Sequence, residues 1–503
     1  MVDAHAKVLA AAPVYLFHAA QHQLLSYYDM LRVRAVCRAL RPSAEDCLPQ
    51  AASHLSFPRA HLWLLSRARR RDVVVEAVAW AADKLRALDL SALGPMSSNE
   101  FGMLFDGLRL HALPALDDLT LPPVTDWVQA AAFVAGMTSL TRLDYSRSAM
   151  HASGTFFLQN TIQRLRCTRS LDAREVAGPA FPALVSSLSN LASLQELVLR
   201  DSNFLAIEGG GAGLVKFLTA LHTLDLSGAT DLNPDEVNSR AFGRSLGGMT
   251  ALTTLCLSNS RPKSPENALA NSFLWVGFAQ CNVTGHAPLR RLAIRGNGCD
   301  AETCVSLSSV IDGLPLLEDL DLSDNEIDAH GVQALAGAFL NRPVKILNLS
   351  ENSLGPEGAV LLASAFESMT RLEQLDLTDN GLGEGTLELV SRGLPASMCA
   401  LRLGSNGIDD QGLSAIGRTL DTLPALECLE LPNNDVSEVG LVNLADLLET
   451  GRDLRLKTLD LGGNGFGDEG CSALAGERRS ARWRGVLLFD WGLTRVSNDF
   501  QGL

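Results

Sequence analysis

The stretch "LEDLDLSDNEIDAHGVQALAGAF", residues 317–339, changes its period halfway along. It opens with apolar residues at the first, fourth and sixth positions and turns at Asn325. It continues with Val332, Leu335, Ala336 and Phe339. Leu320 and Leu322 lie two apart, so they share one face of an extended strand. The later set falls at i, i+3, i+4 and i+7, the apolar stripe of a helix. Strand and helix each have one face to bury, and neither can bury it alone.

The same wording recurs at 289–311, 344–366, 372–394, 398–420, 426–448 and 456–478, with starts stepping by 28, 27, 28, 26, 28 and 30 residues. A fixed period of this length marks a solenoid, in which stacked units bury both faces in one continuous core. The ninth position is always Asn: Asn297, Asn325, Asn352, Asn380, Asn406, Asn434 and Asn464. A stacked Asn can hydrogen-bond turn backbone that a tight coil would otherwise leave unpaired. Gly331, Gly358, Gly412, Gly440 and Gly470 precede the helical stripe, with Thr303 and Thr386 in the other two units. Upstream, units starting at 85, 116, 140, 162, 194, 221 and 252 keep LxxLxL or a near version, at steps of 22 to 37. Four of these carry Ser at the ninth position (Ser148, Ser170, Ser202, Ser260), which brings the total to about 14 units.

These residues resemble the ribonuclease-inhibitor type of leucine-rich repeat. The resemblance implies an α/β leucine-rich repeat solenoid, with parallel strands inside and helices outside. Strands spaced about 4.8 Å against helices spaced about 10 Å bend such a stack into a horseshoe with a concave strand face. The expected organisation is a small helical module over 1–80, repeats over 81–478, and a cap or tail over 479–503, where Arg residues replace the apolar stripe.

Composition narrows the function. The chain is 47% apolar and 20% charged, with no apolar run of 18 residues, so a spanning helix is not expected. Asp3 and Pro13 interrupt what would otherwise resemble a signal peptide. Ten cysteines without a paired framework suit reduced thiols of a cytoplasmic protein, with nuclear entry left open. The net charge is −15; residues 1–110 hold 13 basic and 10 acidic side chains, or +3, so the remainder carries −18. An acidic body argues against nucleic acid as a partner.

"YYDMLRVRAVCRALR", residues 27–41, sets Met30, Val33, Cys37 and Leu40 at i, i+3, i+7 and i+10 of an amphipathic helix. Asp29, Met30, Leu31, Arg32, Val33, Val36, Cys37 and Arg38 resemble the second half of an F-box. Leu40 stands where Trp is usual, and Pro13 lies about two residues too far upstream. The resemblance implies docking on a Skp-type adaptor of a cullin ubiquitin ligase through Met30, Leu31, Val33, Val36 and Cys37. The repeats would then receive the substrate. A plain helical cap shielding the first repeat from water explains the same residues, and both readings stay open.

Little points to catalysis. His18 and His22 have a metal-ligand spacing but no third ligand nearby. "EGGGAGLVKF" (208–217) lacks phosphate-loop spacing and reads as an inserted turn. Cys299 and Cys304 read as buried thiols. The expectation is a non-enzymatic interaction protein with no catalytic residue, metal or cofactor.

The fifth position of the units runs Asp89, Thr120, Asp144, Arg166, Val198, Asp225, Cys256, Ala293, Asp321, Asn348, Asp376, Arg402, Glu430 and Asp460, seven acidic against two basic. Asp321, Asn348, Asp376, Arg402, Glu430 and Asp460 are therefore expected to line the concave face and to favour a basic protein partner. The competing explanation is that LDLS is only the customary strand wording of such repeats. The repeats also resemble those of the GTPase activator for the small GTPase Ran, without its acidic tail, and a structural scaffold is a further alternative.

Overall fold

The computed structural model describes residues 54–56, 74–75, 78–79, most of 85–467, and 487–489. It holds two compact units, 1–208 with 216–225, and 209–215 with 226–503. Among the described residues no helix is long and apolar enough to cross a membrane.

The first unit carries β1 (His54–Ser56), β2 (Ala87–Asp89), β3 (Asp118–Thr120), β4 (Arg142–Asp144), β5 (Ser170–Asp172), β6 (Glu196–Val198) and β7 (Thr223–Asp225). Each pairs in parallel with the next, always centre to centre: Leu55, Leu88, Leu119, Leu143, Leu171, Leu197, Leu224. The second unit carries β8 (Thr254–Cys256), β9 (Arg291–Ala293), β10 (Asp319–Asp321), β11 (Ile346–Asn348) and β12 (Gln374–Asp376). It continues with β13 (Ala400–Arg402), β14 (Cys428–Glu430), β15 (Thr458–Asp460) and β16 (Leu487–Phe489). These strands are parallel in the same register. Each unit is thus a solenoid of strand–turn–helix repeats.

The strands are three residues long because only the central Leu points inward, while its neighbours face out. Leu320, Leu347, Leu375 and Leu401 are fully buried, as are Leu317, Leu322, Leu372 and Leu377 before and after the strands. On the helix Ala329–Ala338, Val332 and Leu335 are buried and the stripe closes on Ala338 and Phe339, whereas Ala336 is only half-buried. Helices begin on side-chain caps: Asp300, Asp328 and Asp409 accept the amides of Thr303, Gly331 and Gly412. The recurrent Gly answers a close approach. A Cβ on Gly331 would lie 2.9 Å from Ile327 Cγ2 and 3.2 Å from the Cys304 sulfur of the preceding repeat.

The Asn column performs as its position implies. Asn352 Oδ1 accepts the Ile327 amide, while Nδ2 donates to the Leu322 carbonyl and, within its own repeat, to those of Leu349 and Ser350. Asn325, Asn380, Asn406 and Asn434 repeat the arrangement. In the first unit the Ser148 and Ser202 hydroxyls accept the amides of Val124 and Val176, and Ser202 donates to the Arg200 carbonyl within its own repeat.

Three expectations change. The unit placed at 162 is out of register. Ile162–Arg164 is a 3-10 turn, and the strand is β5, centred on Leu171. Thr168 occupies the first apolar position, fully buried, its hydroxyl donating to the Leu140 carbonyl. Asp172, not Arg166, is therefore the fifth-position residue, and Ser170 lies in the strand, not at the turn. Secondly, the glycine-rich stretch is not a turn; Gly210–Val215 is a short helix with Leu214 and Val215 buried. Thirdly, β1 and β16 extend the strand series into segments read as helical module and as tail.

A further regularity lies at the eighth position, which is left-handed in repeat after repeat: Glu175, Asp201, Asn259, Asp324, Glu351, Asp379, Ser405 and Asn433 all have φ between 51° and 56°. Gly228, Gly296 and Gly463 fill it elsewhere. The chain turns there while the amide still reaches forward, as from Asp324 to the Ser350 carbonyl and from Glu351 to the Thr378 carbonyl. For a non-Gly residue this conformation costs about 1–2 kcal/mol, least for Asn and Asp.

Candidate functional site

Register alone assembles a site in the second unit. Asp321, Asn348, Asp376, Arg402, Glu430 and Asp460 are successive partners across β10 to β15. All six are half-buried and face away from the leucine core. The column sought in the sequence is therefore a physical row. Met30, Leu31, Val33, Val36 and Cys37, with His18 and His22, lie outside the described residues.

The fifth-position side chains have a local task. Asp321 Oδ1 accepts both the amide and the hydroxyl of Ser323, and Asp376 and Asp460 accept the amides of Thr378 and Gly462. Asn348 makes the same pair of bonds to Ser350. The LDLS wording is thus partly a turn device, as the competing explanation holds. An uncharged amide does the same work, however, so the negative charge at 321, 376 and 460 is not something the turn requires.

Neighbouring rows neutralise themselves. At the second position Glu318 pairs with Arg290 and, at 3.0 Å, with Lys345; Glu427 pairs with Lys457 at 2.6 Å. The hydrogen bond from Lys345, with help from Arg290, holds the Glu318 carboxyl below the usual range. At the third position Arg291 pairs with Asp319 at 3.4 Å. Within the fifth row Arg402 Nε lies 3.2 Å from Glu430 Oε2, so the single Arg of the row is matched by its neighbour. Glu430 also accepts a hydrogen bond from the Cys428 thiol, which burial first and then this contact push up to about 11. Arg295, at the seventh position, sets Nη2 2.8 Å from Oε1 of the eighth-position Glu351 and Nε 3.8 Å from the eighth-position Asp324.

The first unit has a row of its own: Asp89, Thr120, Asp144, Asp172, Val198 and Asp225. Arg200 Nη2 and Nε hold the buried Asp225 carboxylate at 2.6 and 2.7 Å. Correcting Arg166 to Asp172 leaves Arg402 as the only basic residue among the fifth-position residues followed from Asp89 to Asp460.

Among the described residues no group of three or more His, Cys, Asp or Glu side chains converges on a metal-sized site. Cys299 and Cys304 are buried, and burial pushes the Cys304 thiol up to about 12, which keeps it protonated.

Comparison with known proteins agrees with this geometry. A family model described as Leucine Rich repeat matches residues 313–336, 340–363, 397–417 and 456–475. The chain is 30% identical over 226 residues to ribonuclease inhibitor of Sus scrofa, an alignment covering 39% of this chain and 50% of that protein. It is 26% identical over 205 residues to ribonuclease inhibitor of Mus musculus, covering 34% and 44%. It is 31% identical over 208 residues to the Tonsoku-like protein of Bos taurus, covering 38% and 15%. The chain thus spans half or less of the length of these relatives. Among solved structures, an internalin from Listeria monocytogenes superposes at 17% identity over 87% of this chain and 94% of its own, with a TM-score of 0.42. Strand register, Asn ladder and sequence similarity together show a leucine-rich repeat solenoid whose repeats are similar to those of ribonuclease inhibitors.

Proposed function

We propose that the chain is a non-enzymatic binding protein that takes a basic protein segment on the outward strand face of the second unit, across Asp321, Asn348, Asp376, Arg402, Glu430 and Asp460. The observation that carries this reading is the contrast between Asn348 and its neighbours. The turn needs only an acceptor, yet Asp321, Asp376 and Asp460 supply a full charge. Rows on either side spend their charges on one another, which leaves this row to attract a cationic partner. Similarity to ribonuclease inhibitors, proteins named for binding an enzyme, supports a binding role.

The test begins with affinity capture on the whole chain. The captured partner's Kd is then measured for Asp376→Lys, Glu430→Lys and Glu357→Lys. Glu357 is exposed in the first turn of the helix Gly355–Phe366, away from the row. The first two substitutions should weaken binding by about tenfold or more and the third should not, since reversing a charge at a contact disfavours a charged partner. Equal effects at all three would place binding elsewhere.

The more specific role is substrate recognition for a cullin-type ubiquitin ligase, resting on the wording of residues 27–41. Its test is direct binding of the whole chain to a Skp-type adaptor. Leu31→Asp and Val36→Asp should abolish the contact by putting a charge in an apolar interface. No adaptor binding at micromolar concentration would remove the ubiquitin role and leave the strand-face reading standing. Capture of a small GTPase would instead favour the regulator reading.

A further inference from the structure

The first unit holds a carboxylate whose ion pair lacks a hydrogen bond and which stands beside a second carboxylate. Asp144 and Asp172 are register partners on adjacent strands, β4 and β5. Asp144 Oδ1 is occupied by the Ser146 amide. Asp172 is mostly buried, with 20% of its side chain exposed, and its Oδ1 has no hydrogen-bond donor. The nearest cation, Arg174, presents Nε at 3.7 Å, an ion-pair distance but not a hydrogen bond, and that Nε has no acceptor of its own. The next one, Arg200, is committed to Asp225 by two contacts. The charged groups acting on Asp172 are thus Asp144 from β4, Arg174 beyond its own strand, Arg200 after β6, and Asp225 from β7, with the buried phenol of Tyr145 interacting with both Asp144 and Asp172. They amount to two more acids against two bases.

We propose that Asp172, set beside Asp144 on the adjacent strand, is a pH-sensitive charge switch built into the outward strand face of the first unit. A half-buried carboxylate with one oxygen undonated and a second carboxylate next to it is stabilised by binding a proton. Counting Asp144, Asp172 and Asp225 against Arg174 and Arg200, the cluster carries −1 with Asp172 ionised and zero with it protonated. Burial, and then Asp144, push the Asp172 carboxyl up to about 6, inside the range that acidified compartments reach. The pair stands on its own geometry. Only its consequence, weaker attraction of a cationic partner below the switch, rests on the strand-face reading.

The experiment is an NMR titration of the full chain labelled with 13C at the Asp carboxyls. One resonance should titrate with a midpoint near 6, vanish in Asp172→Asn, and move to lower pH in Asp144→Asn. Arg174→Met should move it higher. No Asp midpoint above 5, or a high midpoint that survives Asp172→Asn, overturns the proposal. If Asp172→Asn does not fold, the opposite shifts in Asp144→Asn and Arg174→Met decide it, and unchanged midpoints in both overturn it. Either result leaves the second unit's row untouched, because no residue of that row is altered.

Discussion

Arg402 and Glu430 face each other across adjacent strands, Nε to Oε2 at 3.2 Å, in a row whose other members are acidic except for Asn348. The pair is about one-third exposed, so solvent screens it and its worth is under about 1 kcal/mol. Arg402→Glu should therefore cost little stability in urea denaturation, while placing like charges opposite one another. The exchange Arg402→Glu with Glu430→Arg should restore what is lost. A loss above about 2 kcal/mol would mean that Arg402 packs the sheet instead of tuning its charge.

Asn352→Ala and Asn380→Ala should each cost about 1–3 kcal/mol, because each removes the partners of buried turn groups in two repeats at once. Glu357→Ala, at an exposed helix position, should cost under about 0.5 kcal/mol. Glu351 is no inert control, since its φ is 55° and it pairs with Arg295. Glu351→Gly should come out near neutral, relieved backbone strain offsetting a lost surface pair. Thermal melts of the four variants rank these effects.

Gly243 and Gly337 should respond oppositely to Ala. The helices Glu236–Gly247 and Leu269–Cys281 cross backbone to backbone. A Cβ on Gly243 would run into the Leu274 carbonyl and come within 2.7 Å of the Phe278 nitrogen. Gly243→Ala should destabilise by about 1–3 kcal/mol or more. Gly337 sits on the helix Ala329–Ala338 with open space around it. Gly337→Ala should stabilise by about 0.5–1 kcal/mol through helix propensity alone.

The raised pKa of Asp172 also has a sign in stability. The ordinary value of 3.8 becomes about 6 in the folded chain, so the folded state binds the proton more tightly than the unfolded one. The stability this contributes is fully present below pH 3.8 and is lost as pH rises through 6. Asn cannot titrate. The midpoint of Asp172→Asn should therefore gain on that of the natural chain as pH is raised from 4 to 7. A gap independent of pH would contradict the shift.

A partner held by the row from Asp321 to Asp460 should bind more weakly as salt rises, because the screening length falls from about 10 Å at 0.1 M to about 3 Å at 1 M. Calorimetry across that range with the captured partner checks it. Salt-independent binding would assign the affinity to apolar contact.

The repeats were legible where one residue type has one role. Leu320 and Leu322 announce an inward face, and Asn325 alone supplies both donor and acceptor to the turn. Legibility failed where unlike residues share a role. Thr168 fills a leucine slot by satisfying its hydroxyl on Leu140, which hid the strand of β5 and put Arg166 where Asp172 belongs. The left-handed eighth position leaves a blurred pattern: Asp201, Asn259, Asp324, Asp379, Asn433, Gly228, Gly296 and Gly463 are types that tolerate it, but Glu175, Glu351 and Ser405 break the series. At the candidate site the reverse happened. The acidic wording was plain, but its division between turn and surface became visible only once Ser323 and Ser350 were seen receiving the same contacts from Asp321 and Asn348.

The Asn ladder has a direction. Each Asn reaches back to the repeat before it: Asn352 covers the Ile327 amide and the Leu322 carbonyl, Asn380 covers the Leu349 carbonyl, and Asn406 covers those of Leu377 and the Asn380 amide. The repeats overlap like roof tiles laid from one eave. Shortening the second unit from its C-terminal side lifts the covering tile and strips buried groups of the repeat left behind. Shortening it from the other side breaks, besides the strand-to-strand backbone bonds lost at either cut, only the backward bonds of one Asn side-chain amide. Truncations of equal length should therefore fray unequally, with amide exchange spreading further inward from a cut made on the C-terminal side.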